Sequence, residues 1–378
     1  MKDAVGSAPC NDIPVNRSGL PTVRLLRDTA ELERVRHAWP QVCPSSCVTP
    51  TQDYIWYMTC AETLGGQARL AVLALEAENR LVALAPLMRS AGVFNGYELL
   101  NLKALGEPSD LLYTHPSALN TLFEYVARMK QPIKLGRIRA DTPTVAAIER
   151  AFRGKGLVLA SERASCPYIS LEGLTTDPER SLPGRLRSDL RRAQRKADTM
   201  GSASFEIVRP ASAQEFLPLY ERVLKVESAG WKGRAGCALS SDTLHAQFFR
   251  RYGIRAAEKG ILRLAFMHID SAVVAIQFAV QTGSRFWVLK IGYDEQYAAC
   301  SPGNLLMLET LRYAWRQELM SYEFMGRSEP WTRRWTTLER PTVRIDACPY
   351  NTKGIFALAG KLARRVWLEA GRGLLARQ

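Results

Sequence analysis

Between Glu227 and Asn304 the chain concentrates side chains that can move a proton or hold an anion. Carboxylates stand at Glu227, Asp294 and Glu295, phenols at Tyr293 and Tyr297, and amines at Lys232 and Lys290. A carboxylate beside an indole is desolvated, and its pKa rises towards the range of a general base. Glu227, close to Trp231, fits that description, or it is an ordinary helix-end carboxylate in water. Asp294 is a second candidate base, or the cap of the loop it begins. His245 stands behind both, and His37, His115 and His268 read as structural. Tyr293 and Tyr297 can protonate a leaving group or pack as aromatics. Lys232 can bind a phosphate or an acidic acceptor, or stay solvated. No Gly-x-Ser-x-Gly elbow is present, so the sequence offers no hydrolase-type nucleophile of that kind.

These side chains need a scaffold, and the stretch from Arg285 to Leu311 supplies one. Phe286, Trp287, Val288, Leu289 and Ile291 read as a buried strand. Lys290 alternates with Leu289 and Ile291, so it faces away from them, into a cleft or into solvent. A polar loop follows from Tyr293 to Ala299. Ser301-Pro302-Gly303-Asn304 then opens an apolar helical stripe through Leu305, Leu308, Leu311 and Trp315. The first turn of a helix leaves amide groups without internal partners, and the macrodipole adds positive potential, so an anion can bind there. Ser301 can cap the helix, Pro302 suits its first position, and Gly303 lets a ligand approach the backbone. The same residues also fit an ordinary capped helix after a strand.

The wider chain repeats an order of helix, hairpin, strand and helix. The hairpins Ala68–Arg89 and Ile261–Gln281 are the clearest echo. The chain divides by pattern into a tail over 1–20, a first α/β domain over 21–175, a second over 176–350, and a basic amphipathic segment over 351–378. A helix predicted from Leu182 to Met200 carries Arg185, Arg187, Arg191, Arg192, Arg195 and Lys196 against Asp189. It is a solvated face, or a track for an anionic acceptor, membrane phosphates or tRNA.

Composition narrows the setting. At 378 residues with 47% hydrophobic and 23% charged residues, the chain can bury a sizeable core in two domains. No apolar run approaches the ~18 residues of a membrane span, and the start lacks a signal-peptide core. The expected location is the cytoplasm, with the inner membrane surface as the alternative. The eight cysteines are scattered without a Cys-x-x-Cys pair, and no metal site is expected. Cys300 reads as a small buried thiol, or as one activated by the nearby helix start. The net charge of +14 favours anionic partners without choosing among them.

Several segments in order resemble one family. They are Leu186 to Lys196, Val226 to Gly233, Gly292 to Tyr297 with Ser301-Pro302-Gly303, and Tyr322 to Gly326 followed by Glu329 to Trp335. The chain is similar to GNAT-superfamily acyltransferases of the CelD/BcsL type, found with cellulose and exopolysaccharide synthesis and related to the FemAB peptidyltransferases. The resemblance is strong from Arg180 to about Pro349 and loose before that. It implies an α/β (α+β) fold of tandem GNAT-like domains, each a mixed, mostly antiparallel sheet flanked by helices. The second domain would be catalytic and the first empty. Ile291, Tyr293, Ser301, Gly303 and Asn304 would hold acetyl-CoA or another acyl-CoA. Glu227, Asp294 and Tyr293 would serve catalysis by direct transfer. Trp231, Lys232, Lys290 and Arg334 would meet a small-molecule or saccharide acceptor. Two features depart from the family: Gly303 stands alone where a glycine-richer loop is usual, and Trp331-Thr332 replaces a Tyr-Lys pair, with Arg333 or Arg334 as the substitute cation. Two other readings follow from the same likeness. One is a FemAB-like transferase using aminoacyl-tRNA, and the other is a non-catalytic module of a polysaccharide synthase.

Overall fold

A computed structural model describes residues 21–42, 49–64, 69–90, 96–100, 105–230 and 243–360. Trp231, Lys232 and most of the C-terminal basic segment lie outside these residues.

The first half runs β1 (Thr22–Leu26), α1 (Thr29–Arg34), α2 (Trp39–Val42), α3 (Tyr54–Thr63), β2 (Val72–Ala77), β3 (Arg80–Ala85), β4 (Leu87–Arg89), β5 (Tyr97–Leu99), β6 (Leu112–Tyr113), α4 (Pro116–Arg128), β7 (Ile133–Arg139), α5 (Thr144–Phe152) and β8 (Gly156–Ser170). The second half runs α6 (Gly184–Asp198), β9 (Ala203–Val208), α7 (Ala213–Ser228), α8 (Thr243–Glu258), β10 (Leu262–Ile269), β11 (Ala272–Thr282), β12 (Arg285–Tyr293), α9 (Pro302–Arg316), β13 (Ser321–Glu323) and β14 (Glu339–Pro349).

Both predicted hairpins form. Glu78 and Asn79 take φ of 52° and 59°, the paired left-handed residues of a tight two-residue turn between β2 and β3. The inward spacing of Leu32, Val35 and Trp39 reads as one helix from Asp28 to Trp39, but that stretch is broken. Helix α1 ends at Arg34, a 3-10 turn spans Arg36–Ala38, and α2 starts at Trp39. Pro40 explains the break, because its ring would clash with the Arg36 carbonyl and it has no amide to donate.

A four-stranded sheet has the order β1-β2-β3-β6, and a ten-stranded sheet has the order β4-β5-β7-β14-β8-β13-β12-β11-β10-β9. The larger sheet runs through both halves. Its junction is β8, whose early residues pair with β14 and whose end pairs with β13. Strand β14 comes last in sequence yet lies between β7 and β8 of the first half. Pairing is antiparallel throughout except for β5 with β7 and β12 with β13.

Strands β10 and β11 are buried almost throughout, since helices cover both faces: α7 and α8 on one, α6 and α9 on the other. One hydrophobic cluster joins the halves. Trp56 of α3 packs edge-on against Phe248 and Tyr252 of α8, each with ring centroids 4.9 Å apart. Beside it Arg255 donates to Glu62 at 2.6 Å and to Thr59 at 2.9 Å. Packing across this seam holds β12 and the helices around it in a fixed frame.

Candidate active site

Strand β12 pairs with β11 along its length, but with β13 only from Arg285 to Trp287. Past Trp287 the two parallel strands part, and an edge of β12 is left open. A bulge opposite Phe278 and Ala279 places one extra residue, Leu289, between Val288 and Lys290. The bulge resets the side-chain alternation. Leu289 packs in the cluster formed with α7 and α8, and the Lys290 Nζ lies 4.9 Å from the Phe249 ring centroid in that same cluster. The alternation argument for Lys290 is therefore corrected: it shares a face with Leu289. After the bulge, Ile291 and Tyr293 join the α9 side and Gly292 faces α7.

The end of α7 comes very close to this strand. A Cβ on Gly292 would stand 3.3 Å from the Glu227 Cα, and one on Gly230 would stand 2.8 Å from the Tyr293 carbonyl oxygen. Side chains at either place would push helix and strand apart. Two glycines thus bring Glu227, 2% exposed, to the open edge of β12.

Asp294 ends the strand and caps the 3-10 turn Glu295–Cys300, accepting from the Gln296 amide at 3.0 Å. Cys300 is fully buried, its thiol donates to the Tyr297 carbonyl at 3.1 Å, and burial pushes its pKa up. It is the small buried thiol and not the activated one. Ser301 then takes a left-handed conformation, φ 47° and ψ 54°, which turns its side chain away from a capping role. This corrects the expectation that Ser301 caps α9. The Asn304 and Leu305 amides both donate to the Ser301 carbonyl, at 3.0 and 3.3 Å. Pro302 has no amide proton. The Gly303 amide is left as the first-turn donor without a partner among the described residues. A Cβ on Gly303 would touch the Tyr293 ring at 3.6 Å.

These elements enclose a cleft of about 580 Å³. Glu227, Ile291, Tyr293, Ser301, Gly303 and Asn304 line it together. It is reached from both faces of the sheet: Glu227, Gly230, Ile276 and Gly292 on the α7 side, Gln277, Ile291, Tyr293, Leu306 and Met307 on the α9 side. Glu329 and Trp331 stand at its rim, with the Trp331 indole donating to Glu329 at 2.9 Å. Asp294 and Lys290 do not line it. Arg334 borders a second cavity of about 270 Å³ with Asp189, Arg192 and Lys196 of α6, and donates to Asp189 at 2.5 Å. That cavity shares Ser301 and Asn304 with the cleft, so basic side chains flank the start of α9.

Sequence reasoning missed Gln277, Gly230, Gly292 and Ile276. A lone amide inside the apolar run Ala272–Val280 was the available signal for Gln277. The glycines stand inside segments of the resemblance, but their role depends on a contact between distant elements.

Residues 184–333 match the family model of the acetyltransferase (GNAT) domain. The second half is a GNAT-type acyltransferase domain. No curated protein matches the chain. Solved structures share its fold. The C-terminal domain of a lysylphosphatidylglycerol synthetase from Agrobacterium fabrum, putative by its description, is 11% identical with a TM-score of 0.54, over 89% of this chain and 96% of that one. L-PGS from Bacillus licheniformis is 9% identical with a TM-score of 0.53, over 84% and 91%. FemX is 12% identical with a TM-score of 0.51, over 83% and 95%. At such identities the likeness is one of fold. The architecture is α/β: two GNAT-like halves in tandem, with helices flanking a large, mostly antiparallel sheet that they share. The GNAT domain of the second half has an acyl donor and an acceptor to bring together, and its cleft opens to both faces of the sheet.

Proposed function

We propose that this protein is an acyl-CoA-dependent N- or O-acyltransferase, with acetyl-CoA as donor. One observation carries the reading. The α9 helix begins at the cleft with an unpartnered Gly303 amide and no side-chain cap, and a buried carboxylate, Glu227, stands across the same cleft. The Gly303 amide and the helix-start potential hold the donor's diphosphate, with the Asn304 side chain beside it. Arg192 and Lys196 add positive charge beside it. Ile291, Leu306 and Met307 give the donor's thiol arm an apolar wall. Bound acyl-CoA supplies the activated acyl group.

On the α7 face Glu227 accepts the proton that the attacking nitrogen or oxygen loses. Tyr293 gives a proton to the departing thiolate. Asp294 supports the loop as its cap. Trp231 and Lys232, beyond the described residues, are proposed to meet the acceptor, and Lys290 to meet it from the α7 face outside the cleft. Arg334 acts beside Arg192 and Lys196. The CelD/BcsL likeness makes the acceptor a sugar-related or envelope precursor of exopolysaccharide or cellulose synthesis. Among the described residues no helix is long and apolar enough to cross a membrane. Peripheral contact with the inner membrane or a polysaccharide synthase is part of the proposal, supported by Tyr350, Ile355 and Phe356, which are exposed at the C-terminal end.

Thermal unfolding with millimolar acetyl-CoA tests the reading. A bound donor raises the melting temperature by several degrees through mass action. No shift at that concentration sinks it. The basic flank of α6 favours one second reading, a FemAB-like transfer from aminoacyl-tRNA. It predicts RNA binding that weakens steeply with salt, and no response to CoA.

A further inference from the structure

Gln277 lies in the middle of β11, where its neighbours are apolar, and is 2% exposed. On the α9 side of the sheet it meets Thr310 of α9 and Tyr322 of β13, both fully buried. Its Nε2 donates to the Tyr322 Oη at 2.6 Å, the Thr310 Oγ1 donates to its Oε1 at 2.8 Å, and the two hydroxyls stand 2.9 Å apart. The shorter contacts close a ring, with the Met307 carbonyl a longer alternative acceptor for the Thr310 hydroxyl at 3.1 Å. Gln277 donates to Tyr322, Tyr322 to Thr310, and Thr310 back to Gln277. Turning the amide over reverses the ring but still uses one Nε2 proton. The other proton projects outside it.

Gln277 also lines the cleft, next to apolar Leu306 and Met307. The rim residue Glu329 is exposed, whereas Gln277 is buried, so the amide lies on the inner wall of the cleft with Leu306 and Met307. Two ring contacts lock its rotamer. It cannot swing aside for a longer ligand without breaking both.

We propose that Gln277 gauges the donor's acyl group. Its second N–H selects a short acyl group whose carbonyl oxygen accepts a hydrogen bond at the inner wall of the cleft. A longer alkyl chain would press against that N–H and leave a buried donor unpaired, which a site built around a polar contact rejects strongly. This inference rests on the acyl-CoA reading.

Titration calorimetry with CoA, acetyl-CoA and hexanoyl-CoA tests it without need of an acceptor. The wild-type chain is expected to bind acetyl-CoA about ten-fold more tightly than hexanoyl-CoA. Gln277→Leu removes the selecting group. Because it orphans two buried hydroxyls, a second variant, Gln277→Leu with Thr310→Val and Tyr322→Phe, replaces all the partners at similar volume and leaves none unpaired. In both variants the ratio should fall towards one or invert, with CoA affinity kept. An unchanged ratio in a folded variant with CoA affinity intact overturns the gauge. Preference of the wild type for hexanoyl-CoA overturns it as well. Failure of the wild type to bind CoA at all overturns the donor reading, a different result from either.

Discussion

Helices α4 and α9 hold the same place in the two halves. Each crosses between parallel strands, β5 and β7 in one case and β12 and β13 in the other, and each has proline at its first position. The residue before that proline differs. His115 is extended, with φ of −148°, and its ring accepts from the Ser117 amide at 3.3 Å. Ser301 is left-handed and caps nothing. Around α4 the residues Thr114, His115 and Pro116 face open solvent, while the start of α9 forms a wall of the cleft. One architecture therefore yields a closed helix end and an open one. An anion site needs the absence of a local cap as much as the presence of a helix.

The largest effect expected from this contrast comes from a negative side chain at each helix start. Gly303→Glu places a carboxylate where the donor's diphosphate would lie, and acetyl-CoA affinity should fall at least about a hundred-fold. An acidic residue suits a first helical turn, so the fold should hold. Ser117→Glu makes the same change in α4 and should leave that affinity untouched. Equal losses in the two variants would mean that the helix starts do not differ as described. Next in size is Glu227→Gln, expected to slow transfer about a hundred-fold while acetyl-CoA affinity stays within about two-fold. A proportional loss of donor affinity would instead place Glu227 in donor binding.

Much of the second half was legible in the sequence because its signals are local. The aromatic and β-branched run of β12, the Ser-Pro-Gly start of α9 and the stripe behind it each specify an element from neighbouring residues. What stayed hidden depends on pairing across the fold. The bulge at Leu289 arises from the register with β11, and nothing around Lys290 announces it. The Gly230 and Gly292 contacts join elements far apart in sequence. The position of strand β14 between β7 and β8 has no local signal either. Ser109 and Asp110 read by residue type as a polar surface turn, yet they are buried, at 5% and 6% exposure, because the segment packs under α3 and α5.

Asp110 sharpens the contrast in another way, since the first half also buries a carboxylate. Its Oδ1 accepts from the Leu111 amide and from Thr144, each at 2.7 Å, and its Oδ2 has no partner among the described residues. Burial pushes its pKa from an ordinary 3.8 up to about 6. A carboxyl with a raised folded pKa favours the fold below its unfolded pKa, and that contribution is lost as pH climbs through the folded value. Denaturant titrations of Asp110→Asn and wild type at several pH values should thus diverge between about pH 4 and 6, in favour of the variant. The gap corresponds to about 3 kcal/mol at most. Acetyl-CoA affinity should not change. A pH-independent difference would show that Asp110 stays ionised in the fold.

The smallest effects fall on the residues that set the two helix starts apart. His115→Ala removes the side-chain acceptor of α4 and should cost about 0.5–1 kcal/mol of unfolding free energy. Ser301→Gly removes a Cβ from a left-handed residue whose side chain bonds no helix amide. Glycine relieves the strain there but is freer in the unfolded chain, so a net gain of about 0.5 kcal/mol is expected. Opposite signs from the two substitutions follow only if one helix end is closed by its own side chain and the other is not. A loss at Ser301 as large as that at His115 would mean that the serine hydroxyl caps α9 in solution. The Gly303 amide would then have a neighbour competing with any donor phosphate, and the distinction between the two halves would narrow to the cleft alone.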